Sequence, residues 1–167
     1  MKTTRSARLG RPAPRAAAAA VPEAGEGKRG EDGYLAYLLR QGAGAVRLRL
    51  ERALADLGVT PPQFLVLTML DSYPGASGAD IARLALLTPQ TVHGIVTNLE
   101  RAALIARAAH PVHGRVQMLA LTPGGRTLLL RCKKRAVELD VSLSAGLSRE
   151  DEKIIRRWLV GLATRDE

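Results

Sequence analysis

The chain has 167 residues, 46% of them hydrophobic, with one cysteine and a formal net charge of +9. That length suits one ordinary domain plus a tail. The lone Cys132 excludes an internal disulfide, and no apolar run reaches the roughly 18 residues a membrane span needs, so a cytoplasmic protein is expected.

Residues 1–30 combine Pro, Gly, Ala and Arg with little that can pack, which predicts a disordered basic tail. Its arginines are read as nonspecific phosphate attraction; scattered prolines and the lack of an apolar face argue against an organelle-targeting helix. From Gly33, Leu35, Leu39, Ala43, Val46, Leu50, Leu54 and Leu57 recur at helical spacing, predicting a first helix that ends near Gly58. Gly42-Ala43-Gly44 inside it is no phosphate loop, because no strand precedes it and no Lys-Ser/Thr follows. Thr60, Pro61 and Gln63 form a cap, a first-turn proline and a capping box for a second helix, expected to bury Phe64, Leu67 and Leu70 and to stop at the turn 71–75. Ser77 with Asp80 caps a short third helix that carries Ile81, Leu84 and Ala85 and closes at Leu87.

Thr88-Pro89 starts a fourth helix so soon after the third that the two read as a helix-turn-helix. Its expected apolar side is Val92, Ile95, Val96, Leu99 and Ala103, leaving Gln90, Thr91, His93, Gly94, Thr97, Asn98 and Arg101 outward. Leu104 to Ala109, the turn 110–114, and Arg115 to Leu121 read as a β-hairpin wing. Thr122-Pro123 opens a long fifth helix with a stripe of Leu128, Cys132, Ala136, Leu139 and Leu143; Gly124-Gly125 in its first turn is uninformative. Ser148 and Asp151 cap a last helix holding Ile154, Ile155, Trp158, Leu159 and Leu162. The expected fold is therefore mainly α, a winged helix-turn-helix with a two-stranded β wing and long terminal helices.

Charge follows this organisation. Residues 87–135 carry eight Lys/Arg against Glu100 alone, +7, and contain all three histidines, whereas 31–86 and 136–167 are slightly acidic. Within the folded part, a polyanion is expected at 87–135.

The order of elements resembles the MarR family over roughly residues 34–163. The resemblance is most specific in LTPQTVHGIVTNLERAALIAR (87–107), HPVHGRVQMLALTPGGR (110–126) and GVTPPQFLVLTML (58–70). It implies a winged helix whose first, fifth and sixth helices interlock with a second subunit, giving a tail over 1–32, a dimerisation helix over 33–58, a DNA-binding lobe over 59–122 and C-terminal dimerisation helices over 123–163. It further implies a homodimeric regulator of pseudo-palindromic double-stranded DNA, usually a repressor released by a small phenolic or other aromatic ligand. The recognition positions carried over are Gln90, Thr91, His93, Gly94, Thr97 and Asn98, with Arg115 on the wing. Gln suits adenine, Thr a thymine methyl, and Arg a narrow minor groove. Thr88 and Arg101 are expected at phosphates.

Two positions depart from the family pattern. His113 stands where an acidic residue usually braces the wing arginine, so Arg115 is held less rigidly or a protonated His113 adds a phosphate contact of its own. Ala103 replaces the glycine that commonly ends the recognition helix.

His110 and His113 lack companions for a tetrahedral metal set, and no cofactor, metal site or catalytic motif is expected, so the chain does not read as an enzyme. Cys132 reads as a packing residue, with redox sensing a minor alternative. Tyr34, Tyr37 and Trp158 read as packing in an interlocked dimer ahead of lining a ligand pocket, and the ligand-binding residues stay unassigned. The alternative function is a nonspecific architectural DNA-binding protein, marked by a steep salt slope with little sequence preference.

Overall fold

The computed structural model describes residues 30–109 and 117–164. The tail up to residue 29 and the wing turn with His110, His113 and Arg115 lie outside the described residues. The chain divides into two units, Met1–Gln41 and Gly42–Glu167. In the first, Gly30–Asp32 form a 3-10 turn at the edge of the expected tail, and helix α1 (Leu35–Leu54) begins, with Gln41 Nε2 donating to Tyr37 Oη at 2.9 Å.

In the second unit α1 ends with Leu54 fully buried, passes through a 3-10 turn, Ala55–Leu57, and stops at Gly58. There φ is +65°, a conformation glycine adopts without a Cβ penalty. Helix α2 (Pro61–Ser72) starts with the expected capping box: Thr60 N donates to Gln63 Oε1 at 2.9 Å, and Gln63 N donates to Thr60 Oγ1 at 3.4 Å. Helix α3 (Gly78–Leu84) repeats the device with Ser77 and Asp80, whose carboxyl is held below its ordinary range by the Ser77 hydrogen bonds. Helix α4 (Pro89–Arg101) is capped by the Thr88 hydroxyl, which accepts from Thr91 N at 3.1 Å.

Strands β1 (Ile105–Ala109) and β2 (Gln117–Leu121) pair antiparallel in the register Ile105↔Leu121 to Ala109↔Gln117. Leu119 N also donates to Ala76 O, and Ser77 bridges Met118, which fixes the wing's root against the segment entering α3. Helix α5 (Pro123–Leu143) and helix α6 (Arg149–Thr164) complete the chain.

One core, built from α2, α3, α4, both strands and the start of α5, buries Val66, Leu67, Ile81, Val92, Val96, Leu99, Ile105, Leu119 and Leu129. A smaller cluster joins Leu54, Val59 and Cys132. Cys132 is fully buried, and that burial pushes its thiol pKa up, which makes it a packing residue and a poor nucleophile.

One packing expectation needs correction, at Ala103, and two further helices pack in ways their apolar residues alone do not show. The face of α3 turned to the core carries Ile81 and Ala82, so Leu84 is exposed, and Leu87 beyond the helix packs against the core. Ala103 lies past the end of α4, exposed, with φ +55°. Leu129, off the expected α5 stripe, is buried, whereas Leu143 is exposed.

The helices of the helix-turn-helix end alike. After α3, Leu87 N donates to Ala82 O around Leu86 (φ +51°); after α4, Leu104 N donates to Leu99 O around Ala103. Each is a Schellman-type stop whose left-handed position, usually glycine, carries a side chain.

Gly124-Gly125 is more informative than expected. Thr122 N and Oγ1 donate to the Leu104 and Ala103 carbonyls, stitching the start of α5 to the root of β1. A Cβ at Gly125 would overlap the Leu104 carbonyl oxygen, so only glycine permits this approach.

Candidate nucleic-acid interface

The outward side of α4 exists because its inward side is fixed. Val92, Val96 and Leu99 are buried at helical spacing, which turns Gln90, Thr91, His93, Gly94, Asn98 and Arg101 to solvent. Of the expected recognition residues, only Thr97 is half-buried.

Local hydrogen bonds decide which groups each residue can still offer. The Thr88 and Thr91 hydroxyls lie 2.8 Å apart and bond to one another, so the Thr91 side chain offers its methyl group and the remaining capacity of its hydroxyl. The Thr97 hydroxyl donates to His93 O at 2.9 Å and is used inside the helix. Arg101 Nη1 donates to Asn98 Oδ1 at 3.4 Å, so Asn98 presents mainly its amide N–H groups. Gly94 has open space where a Cβ would stand; the fold itself does not require glycine there.

Part of the charge concentration of 87–135 is paired within the fold. Lys133 pairs with Asp71 at 2.6 Å and Arg135 with Asp56 at 3.1 Å, tying α5 to α2 and to the turn after α1. Arg107 on β1 pairs with Glu100 on α4 at 2.6 Å. The Arg107 hydrogen bond holds the Glu100 carboxyl below its ordinary range. Three of the eight cations therefore brace the fold, and the one acid of the stretch links the fourth helix to the wing. These pairings escaped the sequence reading because the partners are 62 and 79 residues apart for the α5 cations. For Glu100 and Arg107 the seven-residue spacing crosses from a helix into a strand, so helical periodicity says nothing about it.

Beside this surface lies an open cleft of about 420 Å³ between the start of α3, α4 and the wing, lined by Ser77, Pro89, His93, Arg107 and Leu119 among others. Among the described residues no cluster of three His, Cys, Asp or Glu could hold a metal ion. No single described helix is long and apolar enough to cross a membrane.

A helix with a polar outer face, set after a short capped helix and before a two-stranded wing, has the arrangement by which winged helix-turn-helix proteins address a DNA groove. The model of the MarR family matches residues 57–116, from the 3-10 turn after α1 to the residue before β2. The HTH-type transcriptional repressor Rv2887 of Mycobacterium tuberculosis is 34% identical over 134 residues, covering 80% of this chain and 96% of that protein. Among solved structures, the transcriptional repressor CouR bound to a 23-mer DNA duplex superposes with a TM-score of 0.73 at 29% identity, covering 78% of this chain and 92% of CouR. The Rv2887 structure in complex with salicylic acid gives a TM-score of 0.64 at 35% identity, covering 79% and 98%. Sequence identity along most of both chains, the shared fold and the capped helix-turn-helix agree: this chain belongs to the MarR family and is a DNA-binding transcriptional regulator.

Proposed function

We propose that the protein acts as a homodimeric, sequence-specific repressor in the cytoplasm, reading a pseudo-palindromic operator through α4 and released from it by a small aromatic ligand. The observation that carries the reading is the polar face of α4, held outward by Val92, Val96 and Leu99. On this reading Gln90, Thr91 and His93 contact base edges, Gly94 and Asn98 admit and bond the groove, and Thr97 supports the helix from within. Thr88 and Arg101 meet phosphates. Arg115 and His113 are assigned to the wing on sequence grounds alone.

Repression is supported by the names of the relatives, two of which are called transcriptional repressors. An aromatic effector is supported by the relative solved with salicylic acid. Dimerisation is supported by α6, on which no residue is buried although Ile155, Trp158, Leu159 and Leu162 form one apolar side. In a dimer the two copies of α4 would enter successive major grooves about 34–36 Å apart.

The test is a gel-shift series on the promoter region flanking the protein's own gene, at several salt concentrations and with competitor DNA. A retained complex with one fragment, weakened roughly 5- to 150-fold by Gln90→Ala, is expected from the loss of one bidentate contact. Binding every fragment equally with a steep salt slope would replace this reading by the architectural one. Added salicylic acid is expected to dissolve the specific complex.

A further inference from the structure

Leu86 combines two unfavourable features at one position. It is the most exposed large apolar residue described, at 82%, and its φ of +51° is one that non-glycine residues adopt only at a cost. Neither feature alone is informative, since single exposed leucines are common and Schellman-type stops tolerate other residues. Together they are unexpected, because glycine at this place would relieve both.

The neighbouring stop supplies the comparison. Ala103 occupies the same left-handed position after α4 and presents only a methyl group, so its side chain adds little apolar surface. The turn at Leu86 is fixed: Leu86 N donates to Arg83 O at 3.3 Å, and Leu87 N donates to Ala82 O at 2.9 Å. Two residues on, Thr88 caps α4, and Gln90 stands at its first turn. Leu86 is thus an exposed apolar projection two residues before the N-cap of α4, at the end of that helix which carries Gln90.

Resting on the DNA-reading role proposed above, we infer that Leu86 is an apolar DNA contact. It packs against the hydrocarbon edge of the operator, a thymine C5-methyl or a deoxyribose, beside the first base pairs read by α4. Operator complexes in water gain from covering such a side chain, and the free protein carries its strain in return.

The test uses the full chain and an operator duplex footprinted from its own promoter region. Wild type, Leu86→Gly, Leu86→Met and Ala103→Gly are compared by thermal unfolding and by fluorescence anisotropy over a salt series. Leu86→Gly is expected to raise the melting temperature by about 2–4 °C while weakening operator binding about five- to tenfold. The slope of log K against log salt should stay unchanged, because no phosphate contact is lost. Leu86→Met, which keeps apolar reach, restores affinity, and Ala103→Gly raises stability without touching it. Deoxyuridine in place of each operator thymine separates the two sources. A loss seen with wild type and absent with Leu86→Gly identifies the methyl group, and no such position identifies the sugar.

Wild-type protein that binds the duplex while Leu86→Gly binds equally well overturns the Leu86 contact alone. So does an equal loss in Ala103→Gly, which would trace the effect to the turns. Wild-type protein that fails to prefer the duplex overturns the underlying reading as well.

Discussion

The lobe from α2 to β2 and the terminal helix α6 are written with the same signals yet end differently. Both have a hydroxyl cap, with Thr60, Ser77 and Thr88 in the lobe and Ser148 before α6, where Asp151 N donates to Ser148 Oγ at 3.1 Å. Both have an apolar side at helical spacing. In the lobe that side is sealed by neighbouring elements, and Leu67, Ile81, Leu99 and Leu119 are 2% exposed or less. On α6 the equivalent residues remain open, with Trp158 41% and Leu159 42% exposed. Periodicity specifies which side of a helix is apolar; it does not say whether the same chain or another covers it.

The contrast predicts that the lobe breaks by local overlap and α6 by loss of association. The largest effect is expected from Gly125→Ala. The new Cβ would overlap the Leu104 carbonyl, a backbone atom held in place by Thr122 N at 3.0 Å. Overpacking against backbone should destabilise the protein by about 3 kcal/mol. Urea unfolding followed by circular dichroism would measure it, and a variant as stable as wild type would show that α5 can lift from β1 at little cost.

Next in size is Ile155→Glu combined with Leu159→Glu. If α6 is covered by a second copy, the charges remain in water only in the monomer, and light scattering should show the mass fall by half while helical content persists. The same change at Ile81, which is fully buried, should instead unfold the lobe. A double variant that keeps wild-type mass would move the dimer contact away from this side of α6.

Most of the fold was legible in the sequence because its stop and start signals are local. Each cap involves residues three apart, and Thr60-Pro61, Thr88-Pro89 and Thr122-Pro123 place three helix starts to the residue. What escaped depends on contacts between distant segments. Gly125 looks like any first-turn glycine until β1 is laid beside it, and Leu84 looks as apolar as Ile81 until the folded α3 turns Ile81 and Ala82, and not Leu84, to the core. The same holds for the candidate site. The exposed face of α4 follows from periodicity, but the commitment of the Thr97 hydroxyl to His93 O and of Arg107 to Glu100 appears only once the chain is folded.

The smallest effect separates the wing from the helix it follows. Glu100 and Arg107 join α4 to β1 across 2.6 Å, with side chains 27% and 36% exposed, so solvent screens much of their attraction. Because the folded carboxyl titrates below its ordinary range, the stabilisation is fully present above the unfolded value near 4.3 and is lost as pH falls through the lowered folded value. Glu100→Gln should therefore reduce stability at neutral pH by no more than about 1 kcal/mol. The stability curves of variant and wild type should converge on acidification below pH of about 4. Operator binding provides the second measurement. If the pair sets how the wing stands against α4, affinity at pH 7 falls by more than the stability change would produce through unfolding, which is negligible for a protein still almost wholly folded. Unchanged affinity would mean that the hairpin pairing and its bridge from Ser77 to Met118 position the wing without help from the ion pair.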